Sequence, residues 1–444
     1  MFVSGRSPLR AACAAALLWC MPIATASAQD IGAIATRLQE LGIKIGGKPA
    51  TPENLAMAKN LSVAMNNQGF SDEDLKLLAA LPALRSLQVV GVQAVTPAGI
   101  EAIGASRSIE TLTLSGLHIG AAGAKALGGM ERLERLNLGS AQGITDAGFE
   151  ALAASKTIEA LTLHDVSVGR QGLESISRMA QLTELNLSHA RGIGPQGAVL
   201  LARLQNLREL DLTSLYIDDT VLAALATHPA LERLRLDDVD TITDAGLALL
   251  GSMPRLETLS LNETLIDGSG FAGLAMAARL TGLSVMRAKL SDATATPIGL
   301  LERLETLTVS DNRIGDLVAG ELGKLAWLKS LFLDGTAVTD EGAAALSGLV
   351  DLQYLSLNQT AITDAGIAAL GRSADDAGKA SPGLPKLRSI SLNKTAVTDA
   401  SLEVLLPMGK LATINLRETA VSKAAVDATL ARLQASGANL KIYN

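Results

Sequence analysis

Residues 352–370 read LQYLSLNQTAITDAGIAAL, and this stretch carries the pattern that decides the fold. Leu355 and Leu357 are two residues apart, which is the spacing of side chains on one face of a β-strand. They are therefore predicted to face a core while Ser356 faces outward. The residues from Gly366 to Leu370 are short and rich in alanine, which favours a small helix that packs closely against its neighbours.

A threonine and an aspartate stand where this helix is predicted to begin, at Thr363 and Asp364. Their side-chain oxygens can accept hydrogen bonds from the unpaired amides of the first helical turn, and a negative charge is favourable at that end of the helix dipole. The same four residues, Thr-Asp-Ala-Gly, begin at Thr145 and Thr243. We interpret the threonine and the aspartate as helix caps and not as catalytic groups.

The strand pattern Leu-x-x-Leu-x-Leu, with conservative replacements, recurs in 15 units between residue 60 and about residue 434. From the unit at Asn60 to the unit at Leu280 the spacing alternates between 24 and 25 residues, and it is then uniform at 24. This alternation indicates duplication of a two-unit block. The interval between the units at Leu352 and Leu387 is longer, at 35 residues, and its small, polar surplus at residues 372–382 is predicted to be a mobile loop.

The units closely resemble the leucine-rich repeat superfamily, in particular the helix-bearing repeats of the ribonuclease-inhibitor-like, GALA and F-box-associated types. The resemblance covers about five-sixths of the chain. It implies an α/β fold, a horseshoe-shaped solenoid with a parallel sheet on the concave face and short helices on the convex face. It does not name a ligand, because one fold serves many functions.

One slot of the repeat departs from the superfamily, which often has asparagine or cysteine in the turn after the strand. Asn312 follows the common pattern, whereas five other repeats have threonine at this slot: Thr264, Thr336, Thr360, Thr395 and Thr419. A threonine hydroxyl can still bond to the backbone of the turn, so we expect the fold to tolerate the exchange.

A stacked array of repeats needs a cap at each end, because the terminal repeats would otherwise expose their leucines to water. Residues 29–59 are predicted to form the N-terminal cap, and residues 60–434 the solenoid. Residues 425–433 are interpreted as the last helix. Residues 435–444 are predicted to form the C-terminal cap, with an edge strand at residues 440–443.

The first 28 residues have the layout of a secretory signal peptide. Arg6 and Arg10 precede an apolar run, and Ala26-Ser27-Ala28 matches a cleavage site after Ala28. The run is too short for a membrane-spanning helix. We therefore expect an exported protein, periplasmic or secreted, that is not inserted in a membrane.

Both cysteines, Cys13 and Cys20, lie within this segment. Trp19 stands where a lipid-attachment signal at Cys20 would need a small residue, which argues against such a signal. After cleavage the chain would contain no thiol, which excludes disulfides and a cysteine nucleophile. It would carry 36 basic and 45 acidic residues, a net charge of −9. This charge disfavours nucleic acid as a partner.

The outward positions of the predicted strands are mostly serine, threonine or asparagine, but the middle units carry larger and charged side chains. Arginine and aromatic residues often dominate binding energy when a partner buries them. The predicted partner-binding residues are Arg135, His164, Glu184, Glu209, Asp211, Arg233, Arg235, Asp237, Phe332 and Tyr354. The alternative is that opposite charges on neighbouring strands pair with each other and only keep the sheet soluble.

Two groups of side chains were considered as metal sites. His164 and His189 are predicted to lie on adjacent strands with Asp165 beside them, which would suit a site with two histidines and one carboxylate. Asp237, Asp238, Asp240 and Glu263 crowd one rim, where a calcium ion could bind. We interpret both groups as solvated polar residues of the repeat, so no metal, cofactor or catalytic residue is assigned.

Several Asn-x-Thr triplets, such as Asn262-Glu263-Thr264, match glycosylation acceptors. The repeat itself requires asparagine or serine at one slot and threonine two residues later. The match is therefore interpreted as a by-product of the fold.

The sequence thus predicts a non-enzymatic, monomeric protein that binds a protein partner on its concave face. The alternative is an effector or adaptor that resembles the F-box-associated repeat proteins of ubiquitin ligases. Those proteins need a separate helical adaptor domain, and residues 29–59 are too short to contain one.

Overall fold

A computed structural model describes residues 27–64, 67, 69–374, 380–408, 410–435 and 440–444. The signal peptide predicted at residues 1–28 lies almost entirely outside this range. The chain divides into two compact units, of which the first ends at Ile158 and the second begins at Glu159.

The first unit begins with a small helical and hairpin region and continues as a series of strand–helix repeats. Its helices are α1 (Ala28–Glu40), α2 (Pro52–Ala56), α3 (Asp72–Ala79), α4 (Pro97–Ile103), α5 (Gly120–Gly128) and α6 (Asp146–Leu152). Its strands are β1 (Lys44–Ile45), β2 (Lys48–Pro49), β3 (Asn60–Ala64), β4 (Ser86–Val90), β5 (Thr111–Ser115) and β6 (Arg135–Asn137). β1 and β2 form an antiparallel hairpin, and β3 to β6 form parallel pairs in chain order.

The region before the first repeat, predicted to be an N-terminal cap, is held to the repeats by a charged contact. Arg37 on α1 pairs with the buried carboxylate of Asp74 on α3, with Nε 2.8 Å from Oδ1, and also donates to the carbonyl of Gly69. The side chains of Ile34 and Leu38 are buried on the same helix. Ser27 caps α1 by accepting from the amide of Asp30, so cleavage after Ala28 would remove this cap.

The second unit repeats the same alternation of strand and short helix. Its strands are β7 (Ala160–Thr162), β8 (Glu184–Asn186), β9 (Glu209–Asp211), β10 (Arg233–Arg235), β11 (Thr258–Ser260), β12 (Gly282–Ser284), β13 (Thr306–Thr308), β14 (Ser330–Phe332), β15 (Tyr354–Ser356), β16 (Arg372–Ala374), β17 (Ala380–Pro382), β18 (Ser389–Ser391), β19 (Thr413–Asn415) and β20 (Lys441–Tyr443). All of them except β16 and β17 belong to one parallel sheet, in chain order from β7 to β20.

Short helices connect these strands. They are α7 (Arg170–Ile176), α8 (Pro195–Ala198), α9 (Asp219–Leu225), α10 (Asp244–Leu249), α11 (Phe271–Leu274), α12 (Asp316–Leu322), α13 (Asp340–Ala345), α14 (Asp364–Leu370), α15 (Asp399–Leu405) and α16 (Lys423–Ala435). Four 3-10 helices extend or replace them, at Val199–Arg203, Leu250–Ser252, Thr296–Leu300 and Leu346–Gly348. The predicted α/β solenoid of leucine-rich repeats with a parallel sheet is confirmed.

The core is built from equivalent aliphatic side chains of successive repeats. In the repeat that contains β15, Leu355 is 2% exposed, and Leu357, Ile362, Ile367 and Leu370 are fully buried. The residues between the buried leucines of the strand point to the opposite face. One face of the sheet is therefore committed to packing, and only the other remains for contacts with a partner.

The threonine of the Thr-Asp-Ala-Gly motif caps its own helix, as predicted. Thr243 accepts from the amide of Ala245, and Thr363 accepts from the amide of Ala365. The aspartate has a role that the sequence did not reveal, because it bonds forward to the next repeat. Asp340 accepts from the amide of Thr363 at 2.7 Å and from its hydroxyl at 2.6 Å.

This forward contact recurs and joins consecutive helices at their N-terminal ends. The same pair of bonds, from the amide and the hydroxyl, joins Asp72 to Thr96, Asp219 to Thr243, Asp316 to Thr339, Asp364 to Thr398 and Asp399 to Ser422. A single acidic residue thus stabilises two repeats at once.

The turn that follows each strand is closed as predicted. Thr336 donates its hydroxyl to the carbonyl of Leu333 at 2.6 Å, and the other threonines of this slot make the same bond. Asn312 does more. It donates to the carbonyls of Val285 and Val309 and accepts from the amide of Ala288, so it also ties its turn to the preceding repeat.

The insertion at residues 372–382 corrects one prediction. Its two ends pair as the antiparallel strands β16 and β17, with Ser373 opposite Ser381, and do not form a plain loop. Residues 375–379 lie outside the described residues. The small and polar side chains of this segment show no strand periodicity, but antiparallel pairing satisfies backbone groups whatever the side chains are.

Candidate functional site

A groove of about 930 Å³ lies on the outward face of the second unit's sheet, across β7 to β13. Parallel strands place equivalent residues side by side, so the groove has two rows, one from the first and one from the third residue of each strand. The first row contains Ala160, Glu184, Glu209, Arg233, Thr258, Gly282 and Thr306, and the third-residue row contains Thr162, Asn186, Asp211, Arg235, Ser260, Ser284 and Thr308.

Six of the ten predicted partner-binding residues line this groove: Glu184, Glu209, Asp211, Arg233, Arg235 and Asp237. Arg135 belongs to the first unit, where it begins β6. His164 follows β7 outside the groove lining, and Phe332 and Tyr354 lie further along the sheet, on β14 and β15. The groove also has uncharged residues that the sequence did not single out, such as Thr258 and Thr306, because hydroxyl side chains occur at these positions in most repeats.

Many of the polar side chains beside the groove belong to a hydrogen-bonded ladder that runs from repeat to repeat. The carboxylate of Asp237 accepts from the hydroxyl of Ser260 at 2.6 Å and from the amide of Asn262 at 2.7 Å. One repeat later, the side-chain oxygen of Asn262 accepts in the same way from Ser284 and from the amide of Met286. Asp237 is therefore the first acceptor of this part of the ladder.

The same arrangement returns further along the sheet. Asp334 accepts from the hydroxyl of Ser356 and the amide of Asn358, and Asn358 accepts from the hydroxyl of Ser391 and the amide of Asn393. The ladder explains why serine, asparagine and aspartate recur at these outward positions. It also engages Asn262, Asn358 and Asn393, whose Asn-x-Thr triplets had been interpreted as a by-product of the repeat.

Asp211 is also engaged within the fold. Its carboxylate accepts from the side-chain amide of Asn186 at 3.1 Å and from the backbone amide of Thr213 at 3.0 Å. Two of the six predicted partner-binding residues in the groove, Asp211 and Asp237, are thus acceptors for neighbouring backbone and side-chain donors.

The alternative of pairing between neighbouring strands applies to Arg233 and Glu209. Arg233 on β10 lies opposite Glu209 on β9, and its guanidinium donates to that carboxylate. This hydrogen bond raises the pKa of Arg233, against a smaller effect of burial that lowers it. Both side chains remain close to half exposed, at 46% and 40%, so the pair is a weak contributor to stability.

Arg235 differs from every other charged residue of the groove. It is exposed at the third position of β10, in register with Asp211 on one side and Ser260 on the other. Its guanidinium makes no hydrogen bond or ion pair with any residue that the structure describes. The acidic side chains that flank it, Asp211 and Asp237, are held by the bonds given above.

Phe332 and Tyr354, the two aromatic residues among the predicted partner-binding residues, differ in exposure. Tyr354 is 45% exposed, whereas Phe332 is half-buried. Phe332 lies opposite Ser356, and Tyr354 opposite Ser330, so the two rings are diagonal neighbours across β14 and β15.

The residues considered as metal ligands are engaged in other contacts. The rings of His164 and His189 meet edge to face with their centroids 5.1 Å apart, and Nδ1 of His164 is 2.9 Å from the hydroxyl of Ser188. Asp165 pairs with Arg191 at 2.7 Å. Within the described ranges, no three histidine, cysteine, aspartate or glutamate side chains are grouped as metal ligands would be.

Two further carboxylates of the acidic rim are engaged as well. Asp238 accepts from the hydroxyl of Ser214 at 2.7 Å, and Glu263 forms an ion pair with Arg287. Nor does the described part of the chain contain a helix with the length and apolar character needed to cross a bilayer.

Comparison with known proteins agrees with the repeat. The model of a leucine-rich repeat family matches residues 132–153, 180–202 and 324–347. A search of curated proteins found no match.

Two solved structures share the fold at low sequence identity. An internalin from Listeria monocytogenes is 20% identical, with a TM-score of 0.52, and the alignment covers 96% of this chain and 98% of the internalin. A leucine-rich repeat protein from Leptospira interrogans is 19% identical, with a TM-score of 0.57, over 88% of this chain and 91% of that one. The family model thus identifies leucine-rich repeats within this chain and the solved structures share its fold, while the assignment to the ribonuclease-inhibitor-like subtype stays a prediction.

Proposed function

We propose that this protein is an exported, non-enzymatic scaffold that binds a segment of another protein in the groove over β7 to β13. The observation that carries the proposal is Arg235 at the third position of β10, directly before the strand where this part of the ladder begins. Ser260, Ser284, Ser356 and Ser391 are the third residues of their strands and donate to the ladder. Arg235 occupies the equivalent position and makes no such bond, so the fold does not account for this arginine.

The remaining surface of the groove suits a polypeptide. The hydroxyls of Thr162, Thr258, Thr306 and Thr308 line it and make no hydrogen bond within the described chain. Such hydroxyls can donate to the carbonyls and accept from the amides of an extended segment. A partner that buries them together with Arg233 and Arg235 would supply the arginine-centred contacts that often dominate binding energy.

A site-specific photo-crosslinker tests the binding surface. Placed at Thr258 or Thr306 in protein expressed in its native organism, it should form a covalent adduct with one partner polypeptide. The control is the same crosslinker at Arg303, which is exposed but does not line the groove. If the groove positions gave no protein adduct, or the same adducts as Arg303, the proposed binding surface would be wrong.

Export is the second part of the proposal, and its support is the basic and apolar layout of residues 1–28. N-terminal sequencing of the protein recovered outside the cytoplasm should begin at Gln29. Recovery of only the full-length chain, inside the cytoplasm, would contradict it.

A further inference from the structure

We infer that Arg235 is a subsite for a single carboxylate, an aspartate or glutamate side chain carried by an extended segment of the partner. This inference rests on the proposed function and adds the chemistry of the ligand. Three observations support it. The guanidinium of Arg235 is unpaired, its acidic neighbours are already hydrogen-bonded, and the adjacent strands β11 to β13 carry small, uncharged side chains.

The position of Arg235 makes it accessible from the groove. Its Cα lies opposite those of Asp211 and Ser260 in the sheet, and adjacent parallel strands are about 4.8 Å apart. Side chains this close commonly pair across strands. Arg235 does not pair with Asp211, because that carboxylate already accepts from Asn186 and from the amide of Thr213.

Asp237 follows β10, two residues after Arg235, and lines the same groove. Its carboxylate is likewise committed, to Ser260 and to the amide of Asn262. Arg235 therefore keeps its donors for a group from outside the chain. A guanidinium binds a carboxylate through two parallel hydrogen bonds, which gives both strength and a defined orientation.

The surface beyond Arg235 leaves room for the segment that carries this carboxylate. In the first-residue row, β8 to β10 carry charged side chains. β11 to β13 carry small, uncharged residues at the same position, namely Thr258, Gly282 and Thr306. Gly282 has no side chain, and a Cβ added there would lie 3.0 Å from Cγ2 of Thr258. An extended backbone can therefore approach the sheet closely at β12, two strands beyond Arg235.

The charges around Arg235 select among anions. Glu209, Asp211 and Asp237 all lie on β9 and β10 or directly after them, and the chain as a whole has a net charge of −7. The negative electrostatic potential of these groups repels a phosphate group with two charges, and it repels a polyanion more strongly. A single carboxylate has one charge, which one guanidinium can neutralise. The ligand is thus a protein segment with an isolated acidic side chain, and not a phosphopeptide or a nucleic acid.

The test uses a displayed library of random linear peptides selected against the full chain. The peptides recovered should share one acidic position, and for the best of them replacement of this acid by its amide should weaken binding about tenfold or more. The Arg235→Gln variant should bind the acidic peptide as weakly as the wild type binds the amide form, and should not distinguish the two peptides. Arg235→Lys should fall between them, because it keeps the charge but loses the two-pronged geometry.

Arg279→Gln is the matched control, because Arg279 is exposed, has no partner within the described residues and lies outside the groove lining. It should bind the acidic peptide as tightly as the wild type does. Unchanged urea midpoints for Arg235→Gln and Arg279→Gln show that both variants are folded.

The outcomes separate the two proposals. Peptides that bind the groove without an acidic preference overturn the carboxylate subsite and leave the binding function intact. The same holds if replacing the acid by its amide weakens binding to Arg235→Gln as much as binding to the wild type. A phosphoserine peptide that binds tighter than its glutamate counterpart also overturns it. If no peptide is selected and no protein crosslinks to Thr258, the proposed function itself fails.

Discussion

Gly342 donates its backbone amide to the carboxylate of Asp316 in the preceding repeat, with 2.9 Å between the nitrogen and Oδ1. The same oxygen accepts from the amide of Thr339, and the second carboxylate oxygen accepts from its hydroxyl. Gly342 ends the sequence Thr339-Asp340-Glu341-Gly342, and its missing side chain is needed for this arrangement because it lets the carboxylate of Asp316 approach the backbone.

Replacing Gly342 by alanine should therefore destabilise the protein. The added Cβ would lie 2.4 Å from Oδ1 of Asp316 and 2.8 Å from Cγ1 of Val338, so the repeats would have to move apart. We expect a loss of about 1–3 kcal/mol, typical of overpacked sites, measured as a lower urea midpoint. The control is Gly320→Ala in α12, where nothing lies within 4 Å of the new Cβ and the helix should become more stable. Equal midpoints for the two variants would contradict the role of Gly342.

Asn312→Thr should be harmful even though threonine occupies this slot in other repeats. Asn312 bonds to Val285, Ala288 and Val309, whereas Thr336 satisfies only the carbonyl of Leu333. The substitution would leave buried backbone groups of the preceding repeat without partners, at a cost of about 2 kcal/mol or more. Thermal unfolding of Asn312→Thr and of Thr336→Val compares the two sites. The melting temperature of Asn312→Thr should fall further than that of Thr336→Val. A wild-type melting temperature for Asn312→Thr would refute the prediction.

Asp237 should behave as a structural residue although it was predicted to bind the partner. Asp237→Ala removes the acceptor of Ser260 and of the amide of Asn262, so we expect about 1–3 kcal/mol of destabilisation. Asp237→Asn should lose much less stability, since asparagine fills the same ladder position at Asn262 and Asn358. Hydrogen exchange at the amide of Asn262 reports the difference directly. Unchanged protection in Asp237→Ala would show that the ladder is unimportant there.

His228 should make stability depend on pH. Its ring is 2% exposed, with Nε2 3.0 Å from the carbonyl of Leu204 and Nδ1 accepting from the amides of Ala230 and Leu231. Burial lowers the pKa of His228 below the ordinary 6.5, against a smaller opposing effect of the bond to Leu204. The folded state thus keeps the ring neutral at a pH where the unfolded chain takes up a proton.

The sign of the effect follows from this difference in proton uptake. The stabilisation is fully present above about pH 6.5 and is lost as the pH falls from there through the lowered pKa of the folded state. Urea unfolding of the wild type at a series of pH values should show this decline. His228→Asn keeps an acceptor for the two amides but does not titrate, so its stability should change less over the same range. Parallel pH profiles for the two proteins would rule out His228 as the cause.

The strands and the buried leucines could be predicted from the sequence because their spacing is set by the geometry of a strand and is repeated many times. Leu355 and Leu357 illustrate this, since both are buried as expected. The helix caps at Thr243 and Thr363 were also predictable, because a cap acts on amides two or three residues away. Contacts of this kind are local, and a local pattern shows them.

Contacts between repeats were not predictable from the same pattern. Asp364 was interpreted as a cap of its own helix, but its partners Thr398 and Ser401 are 34 and 37 residues further along the chain. Asp237 and Arg235 looked alike as charged outward residues. Only the positions of Ser260 and Asn262 show that the aspartate is engaged by the fold while the arginine is not.

The Thr-Asp-Glu-Gly sequence at residues 339–342 makes both contacts, because Thr339 and Gly342 donate to Asp316 of the repeat before and Asp340 accepts from Thr363 in the repeat after. Excision of residues 340–363 would place Gly366 beside Thr339, where Asp316 would find the same two partners as before. Whole repeats can therefore be gained or lost without unmatched ends, so the length of the protein can evolve independently of the chemistry in its groove.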